Sequence, residues 1–126
     1  MKQKDFSIKK RKQSFKFAIN GLRILLCEES NAWIHLCIAI CVLVAGFVFK
    51  ISLWEWVAVI LCICLVFALE LLNTAIENIA DFVSKEYHDL IKKTKDLAAG
   101  AVLIGAITAI IVGLIIFVPK IIGLIC

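Results

Sequence analysis

Proline is nearly missing from this chain, one residue in 126, and only 19% of the residues are charged. Both scarcities exclude an ordinary soluble domain, in which charge runs near about 25%. No Gly-rich loop ending in Lys-Ser or Lys-Thr occurs, so a Walker-type cradle is excluded and any nucleotide is held by another arrangement. The six cysteines show no metal-ligand spacing. Cys37, Cys41, Cys62 and Cys64 lie inside apolar runs, where a free thiol packs as a small hydrophobe.

Hydrophobic residues make up 63% of the chain, the composition of an integral membrane protein. A hydrocarbon layer of about 30 Å takes about 20 apolar residues to cross. Three segments qualify as transmembrane helices, residues 32–49, 51–72 and 97–118. Residues 1–30 precede them, and residues 73–96 form a helix extension and polar loop between the second and third. The whole chain, 1–126, reads as a single all-α membrane-embedded domain. The first apolar run begins too late and is too long for the core of a cleaved signal peptide, so the first span is expected to stay in the protein. Of 14 basic residues, eight precede the first span and four lie between the second and third. Only Lys50 and Lys120 would face the other side, so the N-terminus is expected in the cytoplasm.

Glu70, Asn73, Glu77 and Asp81 follow directly on the apolar run Trp56 to Leu69. Their 3, 4, 4 spacing stacks them on one stripe of a helix. Carboxylates near hydrocarbon cost kilocalories unless a cation meets them, which makes the row a functional-site hypothesis. No Lys or Arg stands at i+3 or i+4 to neutralise Glu70 or Glu77. For Asp81 alone, an ordinary solvated position is the favoured reading. Glu70 to Val83 contains no breaker, so the second helix is predicted to extend beyond the membrane.

Phe15, Ala18, Ile19, Leu22, Leu25 and Leu26 recur at helical spacing, with Lys12, Lys16, Asn20 and Arg23 on the other faces. This suits an amphipathic helix in the membrane interface, where Lys9 to Lys12 can meet anionic lipid. Glu28 and Glu29, at the point of entry into the bilayer, can meet the acidic stripe. The stretch Ser84 to Asp96 is predicted to lead into the third span, with Lys95 and Asp96 at the start of that helix. A Lys there opposes the helix dipole unless an anion such as phosphate binds; the plainer reading is a snorkelling anchor. Ala101, Gly105, Ala109 and Gly113 form a small-residue stripe for close helix contact. Three helices bury few faces, so self-association is expected to complete the core.

Two carboxylates can hold Mg²⁺, a Lys can meet phosphate oxygens, and a third carboxylate can take the proton of a hydroxyl. Phosphoryl transfer needs mainly this positioning and charge neutralisation. A site at the membrane edge could take a water-soluble donor from one side and a lipid headgroup from the other, which points to a lipid-alcohol kinase.

The run Glu70-Leu-Leu-Asn-Thr-Ala-Ile-Glu77, then Asp81, Glu86-Tyr-His88 and Lys95-Asp-Leu-Ala-Ala-Gly-Ala-Val102 resembles the signature of the small prokaryotic diacylglycerol kinase family. Gly21-Leu-Arg23 and Glu28-Glu29 extend the likeness over most of the chain. The resemblance implies a three-span enzyme of the bacterial cytoplasmic (inner) membrane, usually a homotrimer with sites shared between subunits, that moves the ATP γ-phosphate to a membrane lipid alcohol with Mg²⁺. Nucleic acid is not an expected partner. By position, Glu70 is implied as the catalytic base, Glu29 and Glu77 as metal ligands, and Asn73 as a residue that orders the site. Glu86, His88, Lys95 and Asp96 would contact the nucleotide along with Glu29 and Glu77, with Lys95 on the phosphates. Phe17 stands near the expected adenine position and Arg23 would help seat the headgroup.

His35 and the run Lys95 to Val102 look more like the Gram-positive branch, whose members are similar to undecaprenol kinases. Ala32 and Trp33 depart from the family pattern after Asn31, and Phe17 stands where the enterobacterial branch has Tyr. Three functions follow: an undecaprenol kinase as the leading expectation, a diacylglycerol kinase as the alternative, and, more remotely, a non-catalytic subunit conducting protons or cations.

Overall fold

The computed structural model describes residues 7–126, which form four helices and no strand. They are α1 (Ile8–Glu28), α2 (Ser30–Val48), α3 (Leu53–Val83) and α4 (Asp89–Ile125). The last three are long and apolar enough to cross a membrane.

Helix α1 is the amphipathic segment anticipated within residues 1–30, of which residues 1–6 lie outside the described part. Ser7 caps it by accepting the Lys10 N–H at 3.4 Å. Leu25 is its buried anchor, 1% exposed, while Phe15, Phe17 and Ile19 face outward. The helix ends because Glu29 takes an extended backbone, φ −112° and ψ 115°, and the chain turns into α2. Two residues just after Asn31 build this corner. Ala32 is fully buried, small enough to admit close packing, and the Trp33 indole donates to the Leu26 carbonyl at 2.6 Å. That bond satisfies an acceptor which the end of a helix otherwise leaves orphaned.

Helix α2 closes in a Schellman turn. Ile51 N–H donates to the Gly46 carbonyl at 3.1 Å and Lys50 N–H to that of Phe47 at 3.3 Å. Lys50 holds the left-handed position, φ 52°, that glycine usually fills. A capping box follows, in which Glu55 N–H donates to Ser52 Oγ at 3.2 Å and Ser52 N–H to Glu55 Oε1 at 2.9 Å.

Helix α3 runs unbroken for 31 residues, about 46 Å at the α-helical rise, so the acidic stripe begins at Glu70 near the end of the span and continues along the anticipated extension. The polar stretch after it differs from expectation. Only residues 84–88 are non-helical, and α4 starts at Asp89 with the His88 side chain as its cap, Nδ1 accepting the Leu90 N–H at 3.2 Å. Lys95 therefore lies nearly two turns inside α4, not at its first turn. The dipole argument for an anion there loses its force, because that field acts within the terminal turn.

Helices α3 and α4 form an antiparallel hairpin closed by an ion pair at each end: Lys95 with Asp81 at 2.6 Å and Lys120 with Glu55 at 3.1 Å. Gly105 permits the close approach, since a Cβ there would stand 2.5 Å from Leu69 Cδ1. At Gly46 a Cβ would meet the Trp56 ring at 2.7 Å, so glycine is required under that indole. The apolar core of Ile51, Val59 and Ile116 sits at the end of the bundle away from the acidic stripe, with Phe49 and Phe117 edge to face at 6.0 Å. The backbone of α2 comes close to α1 and α3 but stands off from α4, which only side chains such as Phe49 reach. The gap is an apolar cleft of about 400 Å³ that His35 borders, with Ala109 and Gly113 on the α4 wall. Of the small-residue stripe, Gly105 thus carries intramolecular packing, while Gly113 looks into open space.

Candidate active site

The acidic stripe is folded against the corner between α1 and α2. Glu70 and Thr74, one turn apart on α3, are the only buried polar side chains among the described residues, 5% and 8% exposed. Glu70 lies within electrostatic reach of His35 on α2, Glu29 at the corner and Glu77 about two turns further along α3. Three carboxylates from two separate parts of the chain therefore share one end of the bundle. Like charges so arranged repel, and a bound cation relieves them.

Thr74 makes the direct link between the two parts, its hydroxyl donating to Glu29 Oε1 at 3.3 Å. The Asn73 side-chain oxygen is buried beside it with no hydrogen-bond partner. Such an orphan acceptor costs free energy unless a donor or cation fills it. Among the described residues no three His, Cys, Asp or Glu side chains are placed to hold a metal by themselves. Mg²⁺ does not ask for that: it is bound through one or two carboxylates and completes its shell with phosphate and water. The half-buried Glu29 and Glu77 and the unpaired Asn73 oxygen fit such an ion.

The residues expected to contact nucleotide lie on or beside the hairpin connection. Lys95 is half-buried and bonded to Asp81, and it also feels the charge of Glu77. The hydrogen bond to the Asp81 carboxylate holds the Lys95 ammonium above the ordinary lysine pKa, so it stays cationic at physiological pH. Asp81 is exposed, as sequence alone favours, and is also paired across the hairpin. Asp96 is held by Lys92 at 2.6 Å. Glu86 is exposed in the connection, with Ser84 Oγ bridging its backbone N–H and carbonyl, and His88 is occupied as the α4 cap. Phe17 and Arg23 are exposed on α1, and Arg23 forms no ion pair among the described residues.

Two features escape a reading of the sequence. Thr74 stands four residues after Glu70 and so belongs to the same stripe, but a threonine inside an apolar helix passes for a neutral one. His35, noticed only as a branch marker, borders both the acidic cluster and the apolar cleft, where its ring meets Phe67 edge on at 6.4 Å.

Comparison with known proteins identifies several relatives. A family model described as prokaryotic diacylglycerol kinase matches residues 16–117. Undecaprenol kinase of Bacillus subtilis is 43% identical over 108 residues, covering 86% of this chain and 88% of that protein. A diacylglycerol kinase of Synechocystis is 38% identical over 112 residues, 88% of this chain and 64% of that protein. One from Helicobacter pylori is 35% identical over 111 residues, 82% of this chain and 86% of that protein.

Proposed function

The chain belongs to the prokaryotic diacylglycerol kinase family and is a lipid kinase, and from that premise we propose that it phosphorylates undecaprenol with ATP and Mg²⁺ at the acidic end of the bundle. The observation that carries the site is the meeting of Glu29, Glu70 and Glu77 from two parts of the chain beside an unpaired Asn73 oxygen. A subunit that only conducts protons or cations is set aside by the family membership.

Glu70 is the base. It takes the proton of the lipid hydroxyl as that oxygen attacks the γ-phosphorus, and the bond from the γ-phosphorus to the bridging oxygen of ADP breaks. A buried carboxylate next to an apolar cleft suits an acceptor whose hydroxyl arrives from the hydrocarbon. Glu29 and Glu77 would hold Mg²⁺, which when bound supplies positive charge along the triphosphate. Lys95 meets phosphate oxygens with the donors that Asp81 leaves free, and Asn73 orders the carboxylates. Glu86, His88 and Asp96 contact the nucleotide, with Phe17 near the base and Arg23 toward the headgroup.

The setting proposed is the cytoplasmic membrane of a bacterium, with the N-terminus and the site in the cytoplasm where ATP is. A homotrimer is the proposed assembly. In the single chain, only 17%, 22% and 11% of the apolar windows of α2, α3 and α4 are buried, which leaves much helix surface for neighbours as well as lipid.

Undecaprenol is favoured over diacylglycerol by the likeness to the Bacillus subtilis enzyme over nearly the whole chain. The purified protein in detergent, given labelled ATP, is expected to phosphorylate undecaprenol faster than diacylglycerol. The reverse order would overturn the choice of acceptor and leave a diacylglycerol kinase.

A further inference from the structure

The chain has three threonines, all on helices. Thr94 and Thr108 do what exposed helical threonines commonly do, donating to the carbonyl four residues back, Leu90 at 2.9 Å and Ile104 at 2.8 Å. Thr74 forgoes that bond. Its hydroxyl crosses 45 residues of sequence to Glu29 Oε1 at 3.3 Å, from a buried position one turn beyond Glu70.

The acceptor is a side chain that its own backbone does not fix. Glu29 ends one helix and precedes another in extended conformation, and as N-cap of α2 its carboxylate makes no capping bond. Nothing local therefore sets its direction. A carboxylate that holds a metal is normally oriented by such an outer hydrogen bond, and removing the outer partner costs metal affinity.

We propose that Thr74 is a positioning residue which aims the Glu29 carboxylate at the Mg²⁺ site. This rests on the reading of Glu29 as a metal ligand. The hydroxyl donates its proton to one carboxylate oxygen and leaves the other for the cation. Thr74 itself touches neither metal nor nucleotide in this role. The fixed reach from α3 also couples Glu29 to Glu70, because Thr74 and Glu70 sit on the same helix face one turn apart.

The test is Mn²⁺ binding to the full-length protein in detergent, followed by electron paramagnetic resonance in the presence of a non-hydrolysable ATP analogue. Thr74→Val keeps the shape of the side chain and removes the hydroxyl; it should raise the half-saturating Mn²⁺ concentration about tenfold. Thr74→Ser keeps the hydroxyl and should bind as the wild type does. Thr74→Ala serves in place of the valine variant if that protein does not fold, with thermal unfolding as the check. Equal weakening in the serine and valine variants would show a packing role and overturn the proposal, as would wild-type binding by the valine variant. Glu29→Gln separates the two readings. If it loses Mn²⁺ while Thr74→Val does not, the positioning role alone falls; if Glu29→Gln binds Mn²⁺ normally, the metal-ligand reading falls and takes this inference with it.

Discussion

The Asp81 carboxylate stands 2.6 Å from the Lys95 ammonium, one on α3 and the other on α4, across the five-residue connection of the hairpin. Glu77 lies within electrostatic reach of the same ammonium. The lysine proposed to meet phosphate is thus held near a carboxylate proposed to hold metal. Asp81→Asn should raise the KM for ATP about two- to fivefold, the modest effect an exposed pair supports, with kcat nearly unchanged and Asp81→Glu restoring the wild-type value. The difference should shrink as salt screens the pair. A fall in kcat with KM unchanged would contradict this role.

Glu70 is the buried carboxylate of the cluster. Glu70→Gln keeps its size and removes the base, so turnover should fall by about 10²- to 10⁴-fold while affinity for a non-hydrolysable ATP analogue stays near the wild-type value. Glu77→Gln should act differently, shifting the Mg²⁺ concentration needed for half-maximal rate. Equal mild losses in both variants would refute the division of labour.

Lys50 occupies a left-handed backbone position, φ 52°, in the turn after α2. Side chains other than glycine carry a steric cost there. Lys50→Gly should stabilise the protein by up to about 1 kcal/mol, the steric gain being partly offset by the greater freedom of glycine in the unfolded chain. Thermal unfolding in detergent measures it, and a lower midpoint would show that the lysine side chain contributes something the backbone argument omits.

The two close-packed glycines should respond unequally. A Cβ at position 46 would meet the Trp56 ring at 2.7 and 2.9 Å and Ile51 Cδ1 at 3.2 Å, and a ring cannot fold away. Gly46→Ala should therefore cost about 1–3 kcal/mol. At position 105 the obstacle is a single Leu69 methyl, which can rotate. Gly105→Ala should cost less, helped by the better helix propensity of alanine. Thermal midpoints in the reverse order would refute the packing described.

Much of this was legible in the residues. The apolar runs foretold three long helices, the 3, 4, 4 spacing set the acidic stripe on one face, and the missing breaker after Glu70 announced the extension of α3. Pairings between distant residues were not legible, because side-chain periodicity describes one helix at a time. Asp81 is solvated as expected, but its partner Lys95 arrives from α4, 14 residues on, where no helical spacing points. Thr74 looks like any helical threonine until Glu29 is folded beside it. The start of α4 is hard to place from sequence because Ser84 to Asp96 is mostly polar, and polarity there marks exposure, not absence of helix. Ala32 and Trp33 make sense only once the bend they stabilise is seen.

Because α3 is continuous from its Ser52 cap to Val83, it works as a ruler with its zero mark on the far side of the membrane. Glu70 lies 17 residues beyond Leu53, about 26 Å along the axis. With Glu70 as the proposed base, the depth at which a lipid alcohol would present its oxygen is set by counting helical turns. One residue inserted midway would lower the base by about 1.5 Å and swing it about 100° around the rod, leaving the gripping corner where it was and the proton acceptor facing elsewhere.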